Sequence, residues 1–200
     1  FTQTELGLDN FLPHLLIPGG QPAREAFFDK MASAACLTEY GWQEGCVLDG
    51  IVLLADRAKD GRRYQQNLEK HLSLIFPDED SINHNYEQLS IEFTSCLAQL
   101  ARHDPGHPEI EHVLAFWKSK TDTMGVVKDG NTIVAEANYT VAWPLAVMSE
   151  QLNRPELADE AIRQLRFRQK YLVDEEGTIW LRYNFATQER TFPLWSRGLT

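Results

Sequence analysis

The chain has 200 residues, 43% of them hydrophobic and 24% charged, with a formal net charge of -10. That composition suits one globular core and argues against a general electrostatic grip on nucleic acid, although one or two local arginines could still hold a small anion. No apolar run reaches the roughly 18 residues of a membrane span, and no basic-then-apolar leader opens the chain.

Residues 1–22 show little periodicity, and Pro18-Gly-Gly-Gln-Pro22 reads as a breaker, so this part is expected to be an irregular lead-in. Ala26, Phe27, Met31, Ala34 and Ala35 then suit a helix over 23–37, stopped at Tyr40-Gly-Trp42. Three similar units follow. The first predicts helices over 43–57 and 62–75 around Lys59-Asp-Gly61. The second predicts helices over 85–102 and 109–118 around Asp104-Pro-Gly-His-Pro108, and the third over 138–151 and 156–172 around Asn153-Arg-Pro155. The turns recur about every 45 to 50 residues, which describes an array of αα-hairpins. First helices are richer in apolar residues and should be inner; second helices are charged on one face and should be outer. Asp174 to Tyr183 reads as a turn and a short strand, and Lys128-Asp-Gly130 with Asn131 as a turn. The fold class is therefore all-α, in one domain over residues 1–200.

In such an array the inner-helix N-termini share one end. The residues expected there are Trp42, Gln43 and Glu44; Asn83, His84 and Glu87; Glu136, Asn138 and Tyr139; and Trp195 with Arg197. Aromatic faces, an arginine, carboxylates and free helix N–H groups together suit a sugar acid: rings stack, the arginine takes the carboxylate, an acid moves a proton. Each residue has a plainer role too. Glu44 and Glu136 suit a helix dipole. Trp143 and Trp180 suit a core, and His84 an exposed loop. Asp49 is either a satisfied polar group or a support behind the site. His71, His103, His107 and His112 read as surface residues. Cys36, Cys46 and Cys96 lack metal-ligand spacing and read as small buried hydrophobes. No nucleotide loop, zinc motif or nucleophile elbow is present, so neither cofactor nor metal is expected.

The order of these features resembles the unsaturated glucuronyl and rhamnogalacturonyl hydrolases, glycoside hydrolase families 88 and 105. Leu194-Trp-Ser-Arg-Gly198 is similar to their Trp-Gly-Arg-Gly motif. Val134-Ala-Glu-Ala-Asn-Tyr139 is similar to the segment that carries their acid/base Asp, with Glu136 at that position here. Trp42-Gln-Glu-Gly45 is similar to their first inner helix, and Leu172 to Trp180 also follows the pattern. The resemblance covers roughly residues 40 to 198. It implies an α/α toroid of six hairpins, the (α/α)6 barrel type, of which this chain holds about half and would be a fragment.

The implied substrate is an oligosaccharide ending in a C4=C5-unsaturated uronic acid, such as a pectin-derived disaccharide. C4 is protonated, water adds at C5, and collapse of the hemiketal releases the neighbouring sugar. One carboxyl group can serve as acid and then base, so the two-carboxylate spacing of ordinary glycosidases does not apply. Glu136 is the implied acid/base, and Asn83 or Asp80 stands for a second family Asp. Trp42, Glu44, His84, Asn138, Tyr139, Trp143, Trp195 and Arg197 are the implied substrate contacts. Arg182 stands where the family has a sugar-contacting His. The enzyme is expected to be cytoplasmic, or secreted had a signal peptide been removed, and to bind neither nucleic acid nor membrane. Two other readings stand beside it: a non-catalytic hairpin scaffold for a peptide or protein, and a different α/α-toroid enzyme.

Overall fold

A computed structural model describes residues 20–37, 41–76 and 94–193. In chain order the elements are α1 (Gly20–Ala32), α2 (Trp42–Arg57), α3 (Gly61–Ile75), α4 (Leu97–His103), α5 (Pro108–Lys120), β1 (Thr132–Val134), α6 (Trp143–Gln151), α7 (Pro155–Leu172), β2 (Trp180–Asn184) and β3 (Glu189–Pro193). A 3-10 turn at Ala34–Cys36 follows α1, and a π-helical run at Asn138–Ala142 leads into α6. Of the predicted helix over 85–102 only residues from 94 are described, and there the helix begins later than expected, at Leu97, after a turn over residues 94–96.

The three expected hairpins are present as α2/α3, α4/α5 and α6/α7. Their turns follow the expected chemistry. Pro108 and Pro155 open α5 and α7 at the first helical position, where a missing N–H costs nothing. Asn153 takes the left-handed φ of 53° that ends α6. Gly61 is required for a different reason. A Cβ there would lie 2.0 Å from the Ala55 carbonyl oxygen, so only glycine lets the α2–α3 turn close.

The inner helices lie side by side, with α4 packed on both α2 and α6. Their apolar faces fill the main core with Leu48, Ile51, Leu97, Leu100, Val141, Leu145 and Met148, closed from outside by Tyr64, Leu68, Ile110, Val113 and Leu157. The start of α2 sits against the start of α4. The Ser95 hydroxyl and the Cys96 thiol both donate to the Gly41 carbonyl, at 3.5 and 3.3 Å. A Cβ on Gly45 would stand 2.2 Å from Ser95 Oγ. On the outside, α1 is tied to α3 by Asp29, which accepts from Tyr64 Oη at 2.9 Å and Arg63 Nη1 at 3.1 Å.

The all-α expectation needs correcting by a small antiparallel sheet of order β1-β2-β3. Its registers pair Val134 with Arg182 and Arg182 with Thr191. The sheet covers a second apolar cluster of Val126, Ile133, Ala135, Leu172 and Leu181. Arg168 joins it to α7 and is 1% exposed. Its guanidinium donates to the carbonyls of Val134 (3.1 Å) and Val127 (2.9 Å) and to Gln164 Oε1 (2.8 Å). Burial depresses that guanidinium to a pKa of about 10, still charged at neutral pH. The lead-in is also shorter than expected, because Gly20 to Pro22 already form the first turn of α1. Among the described residues no helix is long and apolar enough to cross a membrane.

Candidate active site

The inner helices begin at one end because three hydrogen bonds hold their starts level. Gly41 receives Ser95 and Cys96, and the Thr94 hydroxyl donates to the Thr140 carbonyl at 2.6 Å. The last bond has a sequence cause. Pro144 has no N–H, so Thr140 loses its ordinary helical donor four residues on. The backbone answers by widening into the π run, with Trp143 N–H donating to the Asn138 carbonyl, and Thr94 takes the orphaned Thr140 oxygen. The Trp117 indole then donates to Thr94 Oγ1 at 3.2 Å, so the outer helix α5 also supports the run.

This run presents the expected residues. Glu136 stands at its mouth, half-buried, and its carbonyl accepts from the N–H groups of Tyr139 and Thr140 at 2.9 and 3.1 Å. One turn further on, Asn138, Tyr139 and Trp143 line a cleft of about 470 Å³ between α6 and α7, walled by Ala142, Ala146, Ala158, Ala161, Ile162 and Leu165. Trp143 is 38% exposed and so offers a ring face to that cleft rather than filling the core.

Tyr139 is anchored from behind. Its hydroxyl donates to Asp49 Oδ2 at 2.8 Å, and Gln99 Nε2 donates to Asp49 Oδ1 in a short contact. Arg102 Nη1 donates to Gln99 Oε1 at 3.3 Å, and its guanidinium lies 5.4 Å over the Trp143 ring. Burial pushes the Tyr139 phenol up, and the Asp49 charge and a hydrogen bond with Cys46 push it further, so it stays protonated at any working pH. Asp49, Gln99 and Arg102 thus form a floor beneath the aromatic pair. The sequence leaves Asp49 open, reads Cys46 as a small buried hydrophobe, and does not single out Gln99 or Arg102. The available signal was spacing: Cys46 and Asp49, like Gln99 and Arg102, stand three residues apart on one helix face.

Other expectations are corrected. Glu44 faces α3, not the cleft. It is wholly buried, with its Oε1 2.6 Å from His71 Nδ1, and the histidine is equally buried rather than on the surface. Burial alone would depress the imidazolium, but the hydrogen bond and charge of Glu44 outweigh it, helped by the carbonyls of Ser33 and Ala32, and the pKa is raised. Cys46 is exposed and Cys36 half-exposed, whereas Cys96 is buried as expected. Arg182 is an exposed residue of β2 whose guanidinium lies 5.9 Å from the Phe192 ring, away from the cleft lining. Trp42 is half-buried at the first position of α2. Asp80, Asn83, His84, Trp195 and Arg197 lie outside the described residues.

The fold and the cleft define a helical-hairpin array of the kind found in α/α toroids, with a carboxylate and an aromatic pair at the inner-helix mouths. No family model matches the chain, and no curated protein matches it. Among solved structures it is similar to the crystal structure of a possible member of the GH105 family from Salmonella enterica subsp. enterica serovar Paratyphi A str. ATCC 9150. That likeness has a TM-score of 0.59 at 18% sequence identity and covers 75% of this chain and 42% of the other. It is a likeness of fold, and this chain spans less than half the length of that neighbour.

Proposed function

We propose that the chain is the part of a glycoside hydrolase that bears its proton donor, acting on oligosaccharides that end in an unsaturated uronic acid. The observation that carries this reading is the placement of Glu136. It stands half-buried at the mouth of an inner helix, one turn above a cleft faced by Asn138, Tyr139 and Trp143. Two further facts support it: the fold shared with a possible GH105 member, and the motif resemblance around Glu136 and Trp195.

In the proposed reaction the Glu136 carboxylic acid gives its proton to C4, using the electron pair of the C4=C5 bond. The cation left at C5 is stabilised by the ring oxygen and captured by water. The Glu136 carboxylate takes the water's proton, restoring the acid. The C5 hemiketal then opens to a ketone, the electron pair of the broken bond returns to the ring oxygen, and the hemiacetal formed at C1 releases the neighbouring sugar. Trp143 would stack on a sugar ring, and Asn138 and Tyr139 would hold its hydroxyls. Asp80, Asn83, His84, Trp195 and Arg197 enter this reading through the sequence alone, and Glu44 is left out of it.

The test is Glu136→Gln assayed on a lyase-generated unsaturated disaccharide by the fading ultraviolet absorbance of its double bond. Turnover should fall by at least about 10²-fold, the usual weight of a general acid, with an unchanged melting temperature. Full turnover in that variant overturns the assignment. A second reading, a binding scaffold for an apolar helix, draws on the exposed Ile162 and Leu165 beside Trp143. It predicts no turnover in either protein.

A further inference from the structure

The sheet meets the outer helix α7 through four rings. Phe167 and Tyr171 of α7, Tyr183 of β2 and Phe185 just beyond it stand 4.7–5.8 Å from one another, centre to centre. They pack on the apolar cluster beneath the sheet and are half-buried. None of them lines the cleft at Tyr139 and Trp143.

Three cations sit on these rings. Lys128 Nζ lies 4.6 Å from the centre of Phe185, Lys170 Nζ 5.2 Å from that of Tyr171, and the Arg190 guanidinium 5.8 Å from that of Tyr183. Arg190 is held further by its Nε, which donates to the Tyr171 carbonyl at 2.7 Å. Rings and carbonyl thus fix where the charges stand. Lys128 is neutralised by Asp122 at 2.6 Å. Lys170 and Arg190 are exposed, as is Arg166 one turn before Lys170, and among the described residues no carboxylate forms an ion pair with these three. Glu189, the acid beside Arg190, pairs across from Asn184 and so belongs to the other face of the sheet. The phenol hydroxyls of Tyr171 and Tyr183 have no hydrogen-bond partner among the described residues. The charge here also runs against the rest of the chain: residues 163–193 hold six Lys or Arg and four Asp or Glu, a net of +2, which leaves -12 on the remainder of a chain whose total is -10.

We infer that this aromatic and basic cluster is a docking surface, outside the cleft, for an acidic polysaccharide, a chain of uronic acid residues. Fixed cations set apart by rings suit carboxylates carried singly on successive sugars, and two open phenols suit the hydroxyls between them. A nucleic acid, far denser in charge, needs a broad basic field, which the acidic remainder of the chain denies it. The surface makes no use of the proton donor, so it stands apart from the reaction proposed above.

The test is migration of the full chain in native gels cast with saturated polygalacturonate, which offers the cleft no double bond. Wild type should be retarded, and less so as salt is raised. Lys170→Gln with Arg190→Gln should weaken the apparent affinity about tenfold. Lys170→Gln alone removes only a cation over a ring and should weaken it several-fold; it reports independently should the double variant not fold. Arg57→Gln with Lys59→Gln takes the same charge from the exposed end of α2 and should bind like wild type. Equal weakening by the two double variants assigns the binding to net charge and overturns the inference, as does a wild type that migrates freely. Tighter capture by duplex DNA or by phosphatidylserine vesicles than by polygalacturonate also overturns it.

Discussion

Glu109 offers a sharp test of the electrostatics inside this fold. It follows Pro108 in the first turn of α5, where a helix dipole favours an acid, yet it is fully buried, and neither carboxylate oxygen has a hydrogen-bond partner. The exposed His112 lies 3.5 Å away and compensates only in part. Burial therefore raises the Glu109 pKa from 4.5 to about 7, against the pull of His112. A carboxyl whose folded pKa is raised binds its proton more tightly in the native state, so its contribution to stability falls as pH rises from about 4.5 to about 7. At 1.36 kcal/mol per tenfold, the whole interval corresponds to about 3 kcal/mol, of which roughly 2.5 kcal/mol is lost between pH 5 and pH 8. Glu109→Gln keeps the shape of the protonated acid and carries no charge. Urea unfolding of wild type and variant at both pH values reads the effect of Glu109 with its partner His112, because the titrating groups outside that pair cancel in the difference. The variant should be close to wild type at pH 5 and more stable by roughly 2 kcal/mol at pH 8. A wild-type-to-variant difference that is the same at both pH values refutes the reasoning.

Three other perturbations follow from the packing. Gly45→Ala drives a methyl group into Ser95 and should cost about 1–3 kcal/mol by thermal denaturation; adding Ser95→Gly should recover most of it, and no recovery would place the strain elsewhere. Thr94→Val strips the Thr140 carbonyl and the Trp117 indole of a partner and should cost about 1–3 kcal/mol. Adding Pro144→Ala restores a backbone donor to the run, so the double variant should lose less than the sum, a comparison that chemical denaturation makes directly. His71→Ala leaves Glu44 without its imidazole and should cost about 3–5 kcal/mol at pH 6. Because the folded pKa of His71 is raised, the wild-type contribution is fully present below the ordinary histidine value near 6.5 and fades as pH climbs through the higher folded value; equal costs at pH 6 and pH 9 would contradict the pairing.

The hairpins were legible because their ends are written in local chemistry. Pro108, Pro155, Gly61 and Asn153 act within a turn of where they stand, and the helices predicted over 43–57, 62–75, 109–118 and 156–172 agree with the structure to within about two residues, as does that over 138–151 once its π run is counted, whereas the one predicted over 23–37 runs from Gly20 to Ala32. The sheet was less legible. Thr132 to Val134 is too short for alternation to register, and Glu189 to Pro193 is exposed throughout, so no apolar face marks it. His71 was legible but passed over, since it shares the stripe Tyr64, Leu68, His71, Ile75 that α3 turns inward. The floor of the cleft was not legible. Asp49 and Tyr139 are 90 residues apart, and Gln99 looks like any polar residue of a helix until Asp49 is placed beside it. Glu136 was visible because a single carboxylate precedes a long apolar segment.

The Thr94–Thr140 bond also bears on the order in which the protein comes into being. A ribosome releases Thr94 and Trp117 well before Thr140 and Pro144, and Gly41 before Ser95 and Cys96. Each new inner helix thus meets a partner that has already been synthesised: the carbonyl of Gly41 awaits Cys96, and the hydroxyl of Thr94 awaits the carbonyl that Pro144 leaves bare. Vectorial synthesis favours such a series, with every nascent hairpin templating the mouth of its successor. A circular permutant that placed residues 138–172 ahead of α2 would retain each of these contacts once folded, yet its π run would emerge before the hydroxyl that caps it.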